Sequence, residues 1–135
     1  MNNVSIIGIG LIGSSIAIAI KDVNNQVVIN IVDSNASNLK SSEHLALGNS
    51  YHATINQELE KSEIIFICTP ISTYENIFFE LNKLKLDNCI ITDVGSSKIQ
   101  VIEKAKKFLK NKIFVPGHPI AGTEKSGPEN GFKEL

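Results

Sequence analysis

Short apolar runs alternate along this chain with stretches whose hydrophobic positions recur at helical spacing. Val4 to Ile9 is a run that ends among glycines, and Ile12, Ile16 and Ile20 then fall four apart on one stripe, which predicts strand, tight turn and helix. Val27 to Val32, rich in β-branched residues and closed by Asp33, predicts a second strand. Ser34 to Gly48 is weakly helical. The stretch from Asn49 to Glu60 is ambiguous, readable as a short edge strand followed by a helical turn.

Ile64 to Cys68 is apolar throughout, as in a strand covered on both faces, and Thr69-Pro70 ends it. Ser72-Thr73-Tyr74-Glu75 has capping-box spacing ahead of Ile77, Leu81 and Leu84, so a helix is expected from about Thr73 to Lys85. Cys89 to Thr92 is a further strand. After Asp93-Val94-Gly95 a serine can cap a helix carrying Ile99, Ile102, Ala105 and Leu109. Ile113 to Val115 is the last strand expected, and Pro116 to Leu135 shows no core element. The order predicts an α/β fold with a doubly wound parallel sheet, in one domain over residues 1–135.

With 13 basic against 14 acidic residues and a net charge of -1, neither nucleic acid nor an anionic membrane is expected as a partner. All the basic residues are lysine, and arginine and tryptophan are absent. Cys68 and Cys89 stand in apolar runs without metal-ligand spacing, which reads as buried free thiols and no metal site. No basic leader or membrane-length apolar stretch is visible, so a soluble, cytoplasmic protein is expected.

Gly8-Ile9-Gly10-Leu11-Ile12-Gly13 is G-x-G-x-x-G between a strand and a helix, and Asp33 closes the next strand 20 residues after Gly13. That is the dinucleotide-binding arrangement of a Rossmann-like domain. Gly8 permits the turn, Gly10 lets a pyrophosphate approach the Leu11-Ile12 helix start, and Gly13 brings helix and sheet together. A carboxylate at Asp33 accepts from ribose hydroxyls and repels a 2'-phosphate, favouring NAD over NADP.

Three more loops should meet at the carboxyl ends of the strands with the glycine turn: Thr69-Pro70-Ile71-Ser72, Asp93 to Lys98, and Pro116 to Gly127. His44 and His52 read as surface residues. His118 follows a strand between Gly117 and Pro119 and is a candidate general base. Lys98, in the first turn of a helix, opposes the dipole there. It is either a solvent-escaping side chain or a cation for a carboxylate or phosphate.

Together, Gly8 to Ser15, Thr92-Asp93-Val94-Gly95-Ser96-Ser97-Lys98 and Gly117-His118-Pro119-Ile120-Ala121-Gly122-Thr123-Glu124-Lys125-Ser126-Gly127 resemble the prephenate, arogenate and cyclohexadienyl dehydrogenase family. The resemblance implies NAD-dependent oxidative decarboxylation of prephenate to 4-hydroxyphenylpyruvate in tyrosine biosynthesis. It implies His118 as the histidine that takes the proton of the ring hydroxyl, and Ser96 beside the nicotinamide and that hydroxyl. Thr123 and Glu124 match residues that shape and gate the pocket, while Lys98 and Lys125 are the cations this chain can offer to the substrate's carboxylates. Family members continue into a helical domain that dimerises the enzyme, completes the cleft and supplies an arginine. The nucleotide-binding domain is thus expected to be incomplete at its C-terminal end. An open apolar sheet edge or face is expected with it, covered by a second copy or a partner chain.

Overall fold

Six parallel strands carry the fold in a computed structural model that describes residues 1–135. They are β1 (Asn3–Ile7), β2 (Val28–Val32), β3 (Ser50–His52), β4 (Ile64–Ile67), β5 (Ile90–Asp93) and β6 (Ile113–Val115). Their order in the sheet is β3-β2-β1-β4-β5-β6, and every neighbouring pair is parallel. The four longer helices are α1 (Leu11–Val23), α2 (Ala36–His44), α3 (Tyr74–Asn82) and α4 (Lys98–Phe108). This is the expected Rossmann-like α/β sheet. The chain winds from β1 out to β3 and then returns to lay β4 on the other side of β1. The crevice of such a sheet opens at that reversal, beyond the carboxyl ends of β1 and β4.

Alternation along the strands feeds two cores. Ile7, Val32, Ile65, Ile67 and Ile91 face α3 and α4, where Tyr74, Phe78, Leu81 and Val101 are buried among them. Val4, Ile6, Ile29 and Ile31 face the other way, onto Ala17 of α1 and Leu47. Phe78 is the hinge of the first core, edge-on to Tyr74 at 5.7 Å and to Phe114 at 5.5 Å. Polar strand positions are matched in pairs: the buried Ser5 hydroxyl lies 2.6 Å from Ser62 Oγ, and Ser50 Oγ donates to Asn30 Oδ1 at 2.8 Å. No buried side-chain polar atom lacks a partner.

Several local features depart from the sequence reading. The stretch from Asn49 to Glu60 does follow it, supplying the edge strand β3 and then a helical turn, a 3-10 helix at Gln57–Lys61. His52 lies half-buried on β3, with Nε2 3.1 Å from Ser50 Oγ, whereas His44 is exposed. The capping box before α3 does not form. A 3-10 turn, Ile71–Thr73, precedes the helix, and the Thr73 hydroxyl instead bonds Thr69 Oγ1 and the Pro70 carbonyl, each at 2.8 Å. Ser97 occupies the N-cap of α4 without a side-chain cap bond. Both cysteines are free thiols, Cys89 buried and Cys68 half-buried.

The largest difference lies in the tail. Beyond β6 it crosses to α1, where the Phe132 N–H donates to Ser15 Oγ at 3.0 Å, Pro128 is buried and Lys133 pairs with Asp22 at 3.1 Å. Gly131 lies so close that a Cβ there would be 2.1 Å from Ser14 Oγ. The α1 side of β4 to β6 is only partly covered. On it Ile90, Ile113 and Val115 are 39%, 48% and 50% exposed. No helix is long and apolar enough to cross a membrane.

Two predictions follow from the packing. Phe78→Ala should cost about 3–5 kcal/mol in urea unfolding, with Phe79→Ala, an exposed neighbour, within about 0.5 kcal/mol of wild type. Burial pushes the Cys68 thiol from its ordinary 9.0 up to about 12, reinforced by the Asp93 charge, and Cys89 up to about 11 against the opposing pull of Lys112. The folded chain holds these protons where the unfolded chain releases them, so stability is present below about pH 9 and is lost as pH rises towards 11–12. The urea midpoint should fall between about pH 8 and about pH 10, with a shallower fall in a Cys68→Ala, Cys89→Ala double variant.

Candidate functional site

The glycine turn is built from steric necessity. Gly8 has φ +95°, and a Cβ on it would stand 2.8 Å from the Cys68 carbonyl and from Thr69 Cγ2, so the β4 end closes against the turn. A Cβ on Gly13 would lie 2.0 Å from the Gly8 carbonyl oxygen, which makes glycine the condition for α1 to start there. Gly10 is different: nothing lies within 4 Å of its virtual Cβ, so the backbone there faces open space. The first helical bond of α1 runs from Ser14 N–H to the Gly10 carbonyl, and no side chain caps the helix. The Leu11, Ile12 and Gly13 amides thus open towards the crevice with the positive end of the helix dipole.

Asp33 lies beside this turn and holds it. Its Oδ2 accepts from Ile9 N–H at 2.8 Å and from Asn38 Nδ2 at 3.3 Å, and its Oδ1 accepts from Asn35 N–H at 2.8 Å. A carboxylate has about four acceptor positions, so one on Oδ1 remains for a ligand hydroxyl. Asn35 in turn caps α2, its side chain accepting from the Ser37 and Asn38 amides. Asp33 and Thr69 line a 530 Å³ cleft with Val32, Ser34, Thr54 and Ile55. Pro70 follows Thr69 as an exposed residue at the N-cap of the 3-10 turn before α3. Thr73, the last residue of the 3-10 turn, and Asn76 of α3 also reach this cleft, a role that sequence spacing does not mark.

The second half of the site is organised around Asp93. Its side chain is fully buried. Oδ1 and Oδ2 both lie 2.6 Å from Lys98 Nζ, Gly95 N–H donates to Oδ2 at 2.8 Å, Gly117 N–H to Oδ1 at 3.1 Å and Tyr74 Oη to Oδ2 at 3.2 Å. Burial first, then the Asp93 charge, drives the Tyr74 hydroxyl well above the ordinary phenol value, so it remains a donor. The carboxylate that Lys98 meets is therefore one from its own chain. This neutralises a cation that would oppose the α4 dipole by itself.

The loop after β6 carries His118 past that anchor. Gly117 sits where a Cβ would be 2.6 Å from the Asp93 carbonyl oxygen, and the exposed His118 follows directly. His118 lines a 370 Å³ cavity with Ile12, Ser15 and Ile16 of α1, Phe66 of β4 and Val94 after β5. Ser96 is exposed on the neighbouring loop, between Gly95 and the start of α4. Thr123, Glu124 and Lys125 are exposed farther along the tail, outside the lining of that cavity, with the Lys125 N–H donating to Thr123 Oγ1 at 3.2 Å.

Residues 16–135 match the family model described as "Prephenate dehydrogenase, nucleotide-binding domain". The chain is 34% identical over 133 residues to a cyclohexadienyl dehydrogenase of Zymomonas mobilis, covering 98% of this chain and 45% of that protein. Among solved structures, prephenate dehydrogenase from Aquifex aeolicus superposes with a TM-score of 0.90 at 29% identity, covering all of this chain and 49% of that one. That enzyme is also known in complex with hydroxyphenyl propionate and NAD+. Synechocystis arogenate dehydrogenase superposes with a TM-score of 0.83 at 28% identity, covering 96% and 45% of the two chains. The chain thus spans about half the length of these relatives. With a glycine crevice and an Asp93-anchored histidine loop on a parallel sheet of this order, the chain belongs to the prephenate dehydrogenase family, over that family's nucleotide-binding domain.

Proposed function

We propose that this chain binds NAD and serves the oxidative decarboxylation of prephenate to 4-hydroxyphenylpyruvate, a step of tyrosine biosynthesis in the cytoplasm. The observation that carries the reading is one shared cavity. Ile12, in the first turn of the dinucleotide helix, and His118 line the same 370 Å³ space. The chain's residues fit the cofactor. Gly10 leaves room for a pyrophosphate against the Leu11, Ile12 and Gly13 amides, and the 530 Å³ cleft beside Asp33 suits an adenosine. Asp33, with no arginine in the chain, favours NAD over NADP.

Bound NAD+ supplies a hydride acceptor. His118 accepts the proton of the ring hydroxyl as hydride leaves the same carbon, and loss of the ring carboxylate as carbon dioxide restores aromaticity. Ser96 orients that hydroxyl from the adjacent loop, and Thr69, which lines the cleft beside Asp33, contributes with Pro70 to holding the cofactor. Thr123 and Glu124 shape the entrance. Lys125 is the side chain in this group left for a substrate carboxylate, as a point charge rather than an arginine fork. Arogenate is the second reading, favoured by the likeness to the Synechocystis enzyme.

The deciding assay is NADH absorbance on the purified chain with NAD+ and prephenate or arogenate. Prephenate should give turnover, and His118→Asn should lower kcat by about 10²–10⁴-fold. A rise of melting temperature with NAD but no NADH from either substrate would leave a nucleotide-binding module without chemistry.

Two glycine variants separate folding from binding. Gly13→Ala should destabilise the chain by about 1–3 kcal/mol, since a methyl group meets the Gly8 carbonyl. Gly10→Ala should melt like wild type yet lose most of its NAD-dependent thermal shift, measured by differential scanning fluorimetry.

A further inference from the structure

Asp93 is the buried charge of this site that the proposed chemistry does not use. Four donors from four places converge on it: Tyr74 from α3, Gly95 from the loop after β5, Lys98 from α4 and Gly117 from the loop after β6. A carboxylate offers about four acceptor positions, so Asp93 is saturated and has none left for a ligand. In this it differs from Asp33, which keeps one. Its partner, Lys98 Nζ, reaches both oxygens at 2.6 Å and is 25% exposed, so the charge is matched at the edge of the core rather than in solvent.

We infer that Asp93 and Lys98 are positioning residues for His118: the ion pair clamps the Gly117 amide to the end of β5 and so sets where the imidazole stands against the Ser96 loop and α1. The inference rests on the reading of His118 as the proton acceptor. Gly117 is one residue from that imidazole, and its backbone is pressed onto the Asp93 carbonyl so closely that no side chain fits. The Tyr74 hydroxyl ties the same carboxylate to the buried face of α3, which gives the clamp a rigid base. Displacements of the order of an ångström at a reacting group are enough to cost about 10²-fold in rate. Lys98 on this account does not touch substrate, although a cation in this loop invites that assignment.

The test compares Asp93→Asn, Lys98→Met and Lys98→Arg in the full chain, using two readouts. Hydrogen exchange of the Gly117 amide by NMR should speed up by about 10-fold or more in Asp93→Asn and Lys98→Met, while the Gly8 amide, bonded to the Val32 carbonyl, stays protected. In steady-state assays both variants should lose about 10-fold or more in kcat with KM for prephenate and NAD changed less than about 2-fold, and Lys98→Arg should recover most of the loss. Gly117 exchange unchanged in Lys98→Met overturns the clamp. A raised KM for prephenate with kcat kept in that variant overturns it too, and returns Lys98 to the substrate. If Asp93→Asn does not fold, Lys98→Met, changed at a partly exposed position, decides alone. Absence of NADH formation by the wild type counts against the proposed turnover of this chain and leaves the exchange readout to judge the clamp.

Discussion

The contact on which the rest of the molecule depends is the close passage of Gly13 over the Gly8 carbonyl, where even a methyl group would stand at 2.0 Å. It fixes the angle at which α1 leaves β1, and with it the direction of the uncapped amides at the helix start. The same turn is closed from the side by the end of β4, through Cys68 and Thr69. The topological reversal between β1 and β4 and the glycine turn are therefore one feature described at two scales. The sheet order opens a crevice, and the missing side chains let backbone dipoles line it.

Two aspartates at strand ends then divide the labour of the site. Each terminates a strand and each takes backbone amides from loops, but their saturation differs. Asp33 spends three acceptor positions on Ile9, Asn35 and Asn38 and stands half-buried at the mouth of a cleft. Asp93 spends everything on its own chain and is buried. A half-satisfied carboxylate at a crevice is equipped to meet hydroxyls. A saturated one in the core is equipped to hold loops, and leaving it without Lys98 would strand a charge among apolar side chains.

The all-lysine composition acquires a meaning from this division. A carboxylate substrate would meet lysines as point charges, and one of the two candidate lysines, Lys98, is already engaged by Asp93. Lys133, which lines the His118 cavity, is held by Asp22, an exposed pair of modest strength. What remains within the tail is Lys125. The relatives are about twice as long as this chain.

The strands, α1, α3 and α4 were legible along the chain because Val, Ile and Leu recur there at periods set by the backbone itself. The glycine turn with Asp33 was legible because φ +95° and a 2.0 Å approach leave no other residue type possible, so the constraint is written into residue identity. The loop motif around His118 was likewise readable as a motif. Other features left no such mark. Strand β3, three residues long, showed only as an ambiguous edge strand because no period can establish itself over that length. The tail's seat on α1 depends on Gly131 meeting Ser14, positions more than a hundred residues apart with nothing local to link them. Thr73 bonded back to Thr69 and Pro70 rather than capping α3, because the chain enters that helix through a 3-10 turn. Lys98 is the clearest case: its sequence position showed a cation out of place at a helix start, and only the packing of four elements around Asp93 decided which anion it meets. Local periodicity and steric necessity are properties of short segments, so sequence determined the elements and the turn. Which charge faces which is settled by distances between segments, and those exist only once the sheet has formed.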